Sequence, residues 1–315
     1  MKNDPDASAR EDLGADFAKA LAQGWLPIRE VARQTGVNAI TLRAWERRYG
    51  LIVPHRTPKG HRLFNAEHVQ RILSILTWID RGVAVSKIKP LLDTPPLPTE
   101  PAQPPENDWQ RQRHTLALAV TQLAERQIDD LVNQAMALYP PWTVCEQLLL
   151  PLLAELHLRW QGQFGAQLER VFLYSWLRSK FGSRVYHNNR QLRGPPLLLV
   201  NHSDLPQEPH LWLTAWLASS ADCPVEVFDN ALPAGELALA VERLNARGVL
   251  LYSSHAINLS QLPRLLSGIA CPIIIAGPAA SIHHARLSTD ASMIEVSWAE
   301  DPLSAHRELS HRELL

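Results

Sequence analysis

The sequence predicts a mainly α chain closed by an α/β domain: a small basic winged helix-turn-helix, a central four-helix bundle and a C-terminal parallel-sheet domain. Three observations carry this. Between Asn38 and Phe64 the run NAITLRAWERRYGLIVPHRTPKGHRLF reads as a short helix with an arginine face, then a glycine-tipped basic hairpin. The stretch TPPLPTEPAQPPEND, residues 94–108, places six prolines in fifteen residues and separates that segment from the rest as a semi-rigid linker. Beyond it, four segments of helical length give way near residue 190 to short apolar runs that alternate with helical stretches, the pattern of βαβ units and a doubly wound sheet.

The composition is that of a globular chain, 46% hydrophobic and 20% charged over 315 residues, long enough for two or three domains. No apolar run reaches the roughly 18–20 residues that cross a bilayer, so no membrane partner is expected. The opening residues, MKNDPDASAREDLGADF, are acidic and polar and do not read as a secretory signal. Cys145, Cys223 and Cys271 are scattered without CxxC spacing. That implies a reducing, cytoplasmic setting with no disulfide or zinc framework. The net charge of -1 hides an asymmetry: residues 25–92 carry 12 Lys and Arg against 4 Asp and Glu, while the remainder carries 19 against 28. A basic block on an acidic chain points to a polyanionic partner for that block alone. The expected divisions are a lead-in at 1–24, the basic reader at 25–93, the linker at 94–108, a bundle at 109–189 and the α/β domain at 190–315.

Within the reader, Ile28, Val31, Ala32 and Thr35 recur at helical spacing and give a first helix one buried stripe. Gly36 closes it, Val37 plugs the turn, and Asn38 suits the cap of the second helix. At about 100° per residue, that helix turns Leu42, Trp45 and Tyr49 to one side and Thr41, Arg43, Ala44, Arg47 and Arg48 to the other. Three arginines opposed only by Glu46 mark a recognition helix for a major groove. Arginines there take phosphates or guanine edges, and Ala44 meets a thymine methyl. Gly50 ends the helix. Leu51–Val53 and Arg62–Phe64 are expected to pair as a hairpin, with Arg56, Lys59, His61 and Arg62 forming a basic wing around the Gly60 tip. Asn65 caps a third helix with Val69, Ile72, Leu76 and Ile79 as its seam, and Gly82 ends it. Ser86 opens a short fourth helix with Ile88, Leu91 and Leu92 inward.

After the linker, WQRQRHTLALAVTQLAE, QIDDLVNQAMALY, WTVCEQLLLPLLAELHLRW and QLERVFLYSWLRSKF repeat apolar residues near every 3.6 positions. A four-helix bundle is the economical arrangement, with a kink or break expected at Pro151. From Gln191 onward, LLLV (197–200), VEVF (225–228), VLLYS (249–253), PIIIAG (272–277) and MIEV (293–296) read as buried strands. Helices are expected between them at His210–Ala218, Gly235–Ala246 and Ser260–Ser267. Ligands of such sheets sit at the carboxyl ends of the strands.

The run TLRAWERRYGLIVPHRTPKGHRLF, followed by IDRGVAVSKIKPLL, resembles the DNA-binding domain of MerR-family transcriptional regulators. The RAWERRYG and GHRLF forms resemble the branch that holds MlrA-like curli regulators and the CarH/LitR photoreceptor repressors. The resemblance implies that Arg43, Arg47, Arg48 and Tyr49 enter a major groove of double-stranded promoter DNA, and that Arg56, His61 and Arg62 grip the flanking backbone. It implies a homodimer or higher oligomer, with RNA polymerase as a further partner. The proline linker stands where other members of the family run a long dimerising helix, so pairing falls to the C-terminal half.

That branch carries a bundle and a flavodoxin-like domain together similar to the cobalamin-binding module of methionine synthase. The resemblance implies cofactor positions. Trp160 and Glu169 match a pair that shields the upper face of adenosylcobalamin, with Arg170 where the family has histidine. Glu208 and His210 match the acid and histidine of the lower axial cobalt ligand, which makes His210 the one candidate metal ligand. Leu213 stands where the family has a glycine that lets the corrin and its tail approach the backbone. Ser253 and Gly277 fall in small-residue motifs that accept the nucleotide tail. Arg170 and Leu213 favour a module that kept the fold and lost the corrin over an adenosylcobalamin-dependent light-responsive repressor. A DNA-tethered enzyme is the third reading. Asn201-His202-Ser203-Asp204 and Ser253-Ser254-His255 hold nucleophile and base residue types. They lie in no G-x-S-x-G elbow, no P-loop or G-x-G-x-x-G is present, and His283-His284 lacks a third ligand at metal spacing.

Overall fold

The computed structural model describes residues 24–57, 60–92, 108–162, 164–203, 206–258, 260–287 and 296–315. Residues 1–23, residues 93–107 across the proline linker, Lys59, Asp204 and residues 293–295 of the strand expected over 293–296 lie outside them. The chain divides into two compact units, one of Met1–Ala119 with Arg126–Leu152, the other of Val120–Glu125 with Leu153–Leu315.

In the first unit, β1 (Leu26–Pro27) leads directly into α1 (Ile28–Thr35), which ends at Gly36 with φ 70°. Val31 and Val37 are fully buried. The Asn38 side chain accepts from the Thr41 amide at 2.8 Å and starts α2 (Ala39–Ala44), which widens into a π turn over Trp45–Tyr49. Gly50 closes that turn at φ 57°, a left-handed geometry that favours glycine. The hairpin differs from expectation. Its strands are β2 (His55–Arg56) and β3 (Arg62–Phe64), and β1 pairs with the other edge of β3 to give an antiparallel sheet in the order β1-β3-β2. Leu51 and Ile52 are fully buried core anchors, while Val53 points out to solvent. Two adjacent inward residues break the alternation a strand needs, so the chain turns before it can pair.

α3 (Ala66–Asp80) opens on a capping box in which Asn65 accepts from the His68 amide and His68 Nδ1 accepts from the Asn65 amide. Its buried seam is Ile72, Ile75 and Ile79, with Val69 and Leu76 at its margins. In α4 (Val85–Leu92), Val85 and Ile88 face inward, and Leu91 is exposed rather than buried. α5 (Asp108–Thr121) and α6 (Glu125–Leu138) follow. Then α7 runs as Pro141–Val144, a π turn at Cys145–Leu149, and Leu150–Trp160. The helix therefore passes through Pro151 instead of breaking. Proline has no amide for the carbonyl four residues earlier, and that Gln147 carbonyl accepts from Arg113 Nη1 at 3.0 Å.

In the second unit, α8 (Ala166–Asn189) packs on α9 (Pro209–Ser220). Five parallel strands, β4 (Leu197–Asn201), β5 (Val225–Phe228), β6 (Gly248–Tyr252), β7 (Ile273–Ala276) and β8 (Val296–Ala299), lie in the order β5-β4-β6-β7-β8. This is the flavodoxin-like order, whose reversal between β4 and β6 opens a crevice at their carboxyl ends. β4, β6 and β7 are buried along their whole length. They are sandwiched by α10 (Ala234–Leu244), α11 (Leu262–Leu266), α12 (Pro278–Leu287) and α13 (Pro302–His311) together with α9. The sequence pattern did not reveal α12 and α13. Among the described residues, no helix is long and apolar enough to cross a membrane.

Candidate DNA interface and ligand site

The reader's second helix holds its position through Trp45. The ring is 0% exposed, and its Nε1 donates to the Leu138 carbonyl at 2.8 Å. Leu138 ends α6, so the back of the recognition helix is fastened to the bundle within the same unit. The Tyr139 ring beside it lies tilted against Trp109, with centroids 4.3 Å apart, and burial pushes its hydroxyl up to about 12. With that side anchored, Arg43, Arg47 and Arg48 are exposed and Tyr49 is half-buried. Thr41 is a correction. The helical wheel put it outward, but it is fully buried, because it lies one turn before Trp45 on the same side.

The wing has a built geometry. The Thr57 amide donates to the His61 carbonyl at 2.9 Å and the Gly60 amide to the Thr57 carbonyl at 2.7 Å. Gly60 takes φ 79°. Arg56 and His61 are exposed. Arg62, expected among them, is 13% exposed and sits at the wing's base. Both arginines are held by one carboxylate: Arg56 Nη2 donates to Glu46 Oε1 and Arg62 Nε to Glu46 Oε2, each at 2.5 Å. Burial pushes the Glu46 carboxyl up, but the hydrogen bonds from Arg62 and Arg56 outweigh it and hold it below its ordinary value. In the sequence Glu46 was only the acid that interrupted an arginine face.

At the crevice of the parallel sheet, Glu208 caps α9 and is buried, and its Oε1 lies 3.1 Å from His210 Nδ1. The acid–histidine pair expected from the sequence therefore forms, with Nε2 as the other ring nitrogen. The cradle around it is filled. Leu213 is 0% exposed, one of an unbroken run of buried residues from Leu211 to Ser219. Gly277 has φ 97°, and a Cβ there would come within 2.6 Å of the Ser253 carbonyl and 2.8 Å of Tyr252 Cζ. So Gly277 admits the Tyr252 ring, itself 2% exposed and parallel to His210 at 6.0 Å. Burial, with Glu208 next, pushes the Tyr252 hydroxyl well above its ordinary value. Ser253 Oγ donates to the His255 carbonyl at 2.8 Å. The axial pair has the right chemistry for a cobalt ligand, but the residues around it do not fit a nucleotide tail.

Trp160 and Glu169 also meet. Trp160 Nε1 donates to Glu169 Oε2 at 2.8 Å, and Arg159 Nη2 donates to the same oxygen at 2.6 Å. The carboxylate that would shield an adenosyl group is committed to its neighbours, while Arg170 bonds Gln167. The hydrolase-like residues are also engaged. Asn201 Oδ1 accepts from the Ser203 amide at 2.9 Å, and Ser203 Oγ accepts from the Ser254 amide at 2.9 Å. One polar centre escaped sequence reading. Asp229 accepts from Trp212 Nε1 at 3.0 Å and Arg178 Nε at 3.2 Å, and its carbonyl accepts from Asn201. Its three partners are 17 to 51 residues away, so no local pattern marked it. Among the described residues no cluster of three metal-ligating side chains occurs.

A basic recognition helix with an antiparallel wing, joined to a bundle and a flavodoxin-order sheet, defines a DNA reader attached to a cobalamin-binding-like module. Residues 26–94 match the MerR HTH family regulatory protein model and residues 112–183 the B12 binding domain model. The chain belongs to the MerR family of HTH transcriptional regulators. It is 31% identical over 205 residues to the HTH-type transcriptional regulator MlrA of Escherichia coli K12, covering 65% of this chain and 80% of that one. It is 26% identical over 305 residues to the HTH-type transcriptional repressor CarH of Myxococcus xanthus, covering 88% of this chain and 98% of that one. Among solved structures it is similar to a chain of the methanol:cobalamin methyltransferase complex MtaBC from Methanosarcina barkeri. That likeness has 12% identity and a TM-score of 0.33, over 76% of this chain and 92% of that chain.

Proposed function

We propose that this transcriptional regulator reads promoter DNA in paired copies, and that its C-terminal half keeps a cobalamin-binding architecture without seating a corrin. The half then serves to pair the readers and to take a signal of other chemistry. One observation carries the loss of corrin: Tyr252 lies against Gly277, and Leu213 is packed in the core, beside an intact Glu208–His210 pair. Each reader offers a handful of base contacts, so specific binding needs two or more copies on repeated half-sites. RNA polymerase is the further partner this role calls for, and the cytoplasm its setting. Ser203 and Ser253 Oγ are tied to backbone groups, which supports a regulator over an enzyme.

Two measurements test the reading. The purified protein is incubated with adenosylcobalamin in the dark, desalted, and its spectrum compared with that of His210→Ala. Neither is expected to retain corrin absorbance; absorbance that survives in wild type and disappears in His210→Ala overturns the proposal. DNA binding is expected to weaken steeply between about 50 and 200 mM salt, because phosphate contacts release counterions. A flat response removes the electrostatic basis of the reader.

A further inference from the structure

We propose that Glu46 is a positioning residue for DNA reading: it pins both strands of the wing to the recognition helix and so presets a cleft that seats one DNA backbone phosphate. The proposal rests on the DNA-reading role above and names a residue that role does not require. A carboxylate on a face meant for a polyanion lowers affinity for any phosphate, so its place there needs a reason.

The geometry supplies one. Arg56 and Arg62 are direct cross-strand partners in the β2–β3 register. A single side chain bonds both, through separate oxygens, and so ties a whole rung of the wing to the π turn. The contacts span 10 and 16 residues, so local chain stiffness does not impose them. The Glu46 side chain is only 14% exposed, and its charge is matched by two guanidinium groups rather than by solvent.

The clamp also settles what Arg62 does. With Nε on Glu46, its Nη2 is buried without a protein partner. Arg62 lines a cleft with Arg43, His61, Gly60 and the start of α1 at Pro27 and Ile28. No side chain caps α1, and a helix start carries a partial positive charge that favours an anion. A guanidinium edge, a second arginine, a histidine and a helix start around one cleft match the chemistry of a phosphodiester.

The test uses the full-length protein. A duplex is first enriched from a random pool. Affinities for it and for a scrambled duplex are then compared in wild type, Glu46→Gln, Arg62→Ala and the double variant. Glu46→Gln is expected to bind the scrambled duplex at least as tightly as wild type, because a carboxylate is removed, yet to lower the enriched-over-scrambled ratio about ten-fold, because the seated phosphate fixes the register in which the recognition helix meets the bases. The double variant should fall no further than Arg62→Ala. A merely stabilising Glu46 would leave the ratio alone, so an unchanged ratio, or two affinities that fall by one factor, overturns the proposal. Where melting shows Glu46→Gln to be unfolded, Arg62→Lys takes its place with the same expectation, since lysine keeps the charge but not the fork. A wild type that enriches no duplex overturns the DNA-reading role and this proposal together; enrichment with an unchanged ratio overturns this proposal alone.

Discussion

Arg43, Arg47 and Arg48 of the reader are exposed, while Trp160, Glu169, Glu208 and Ser253 of the C-terminal unit, which match a cofactor site, are buried and hydrogen-bonded within the protein. Glu169 serves Trp160 and Arg159, Glu208 serves His210, and Ser253 serves a backbone carbonyl. A surface that grips a polyanion must leave charge available to it. A group already hydrogen-bonded and packed takes a ligand only by giving up a contact it has made.

The largest effects should come from breaking the cores that support these two regions. Trp45→Ala removes a fully buried indole and its bond to Leu138, and a loss of about 3–5 kcal/mol is expected from such truncations. Leu213→Ala, also fully buried, should cost about 2–5 kcal/mol. Denaturant titration compares the two. Trp45→Ala should also abolish DNA binding, while Leu213→Ala should leave each reader's contacts intact. Equal DNA defects at matched stability would mean the two regions are not separable.

Next in size is the exposed charge. Arg48→Ala should weaken DNA binding by about 1–3 kcal/mol and reduce the salt slope by about one, with no change in melting temperature. A shifted melting temperature with unchanged affinity would assign Arg48 to the fold instead.

The smallest effect is set by acid. The Glu46 carboxyl is held below its ordinary value. Its contribution is therefore complete above the unfolded carboxylate pKa of about 4.3 and is lost as pH falls through the lowered folded value. Glu308 follows the same sign in the other unit, lowered by the Ser297 hydroxyl first and by Arg312. Stability carried by both should be flat from about pH 8 to 5 and fall below about 4. Glu46→Gln should flatten the acid limb of the reader alone. An acid limb unaltered in Glu46→Gln and Glu308→Gln would show that other carboxylates control it.

Much of the reader was legible because its signals are local. Gly36, Asn38, Gly50 and Asn65 act on their own neighbours, and the structure places each at the helix end the sequence proposed. The wing's strands were misplaced because Leu51-Ile52 looks like a β arm, and only the core they enter tells them apart from one. Thr41 failed for a related reason: a wheel gives an angle, and burial depends on how large a neighbour, here Trp45, draws the helix in. Glu208 and His210 were legible as a pair at a spacing of two residues. The filling of their surroundings was not.

The sequence by itself determined the periodicity of the helices, the caps and hinge glycines, the alternation of strands and helices, and the segregation of positive charge into residues 25–92. These are short-range properties that each segment carries in its own residues. Tertiary structure decided how the wing's arginines are held, since Glu46 reaches 10 and 16 residues to bond Arg56 and Arg62. It also decided that the bundle braces the recognition helix, through a bond that spans 93 residues. And it decided what surrounds the Glu208–His210 pair, where the Tyr252 ring meets Gly277 across neighbouring parallel strands. Such contacts follow from close packing of distant segments, which no local pattern specifies.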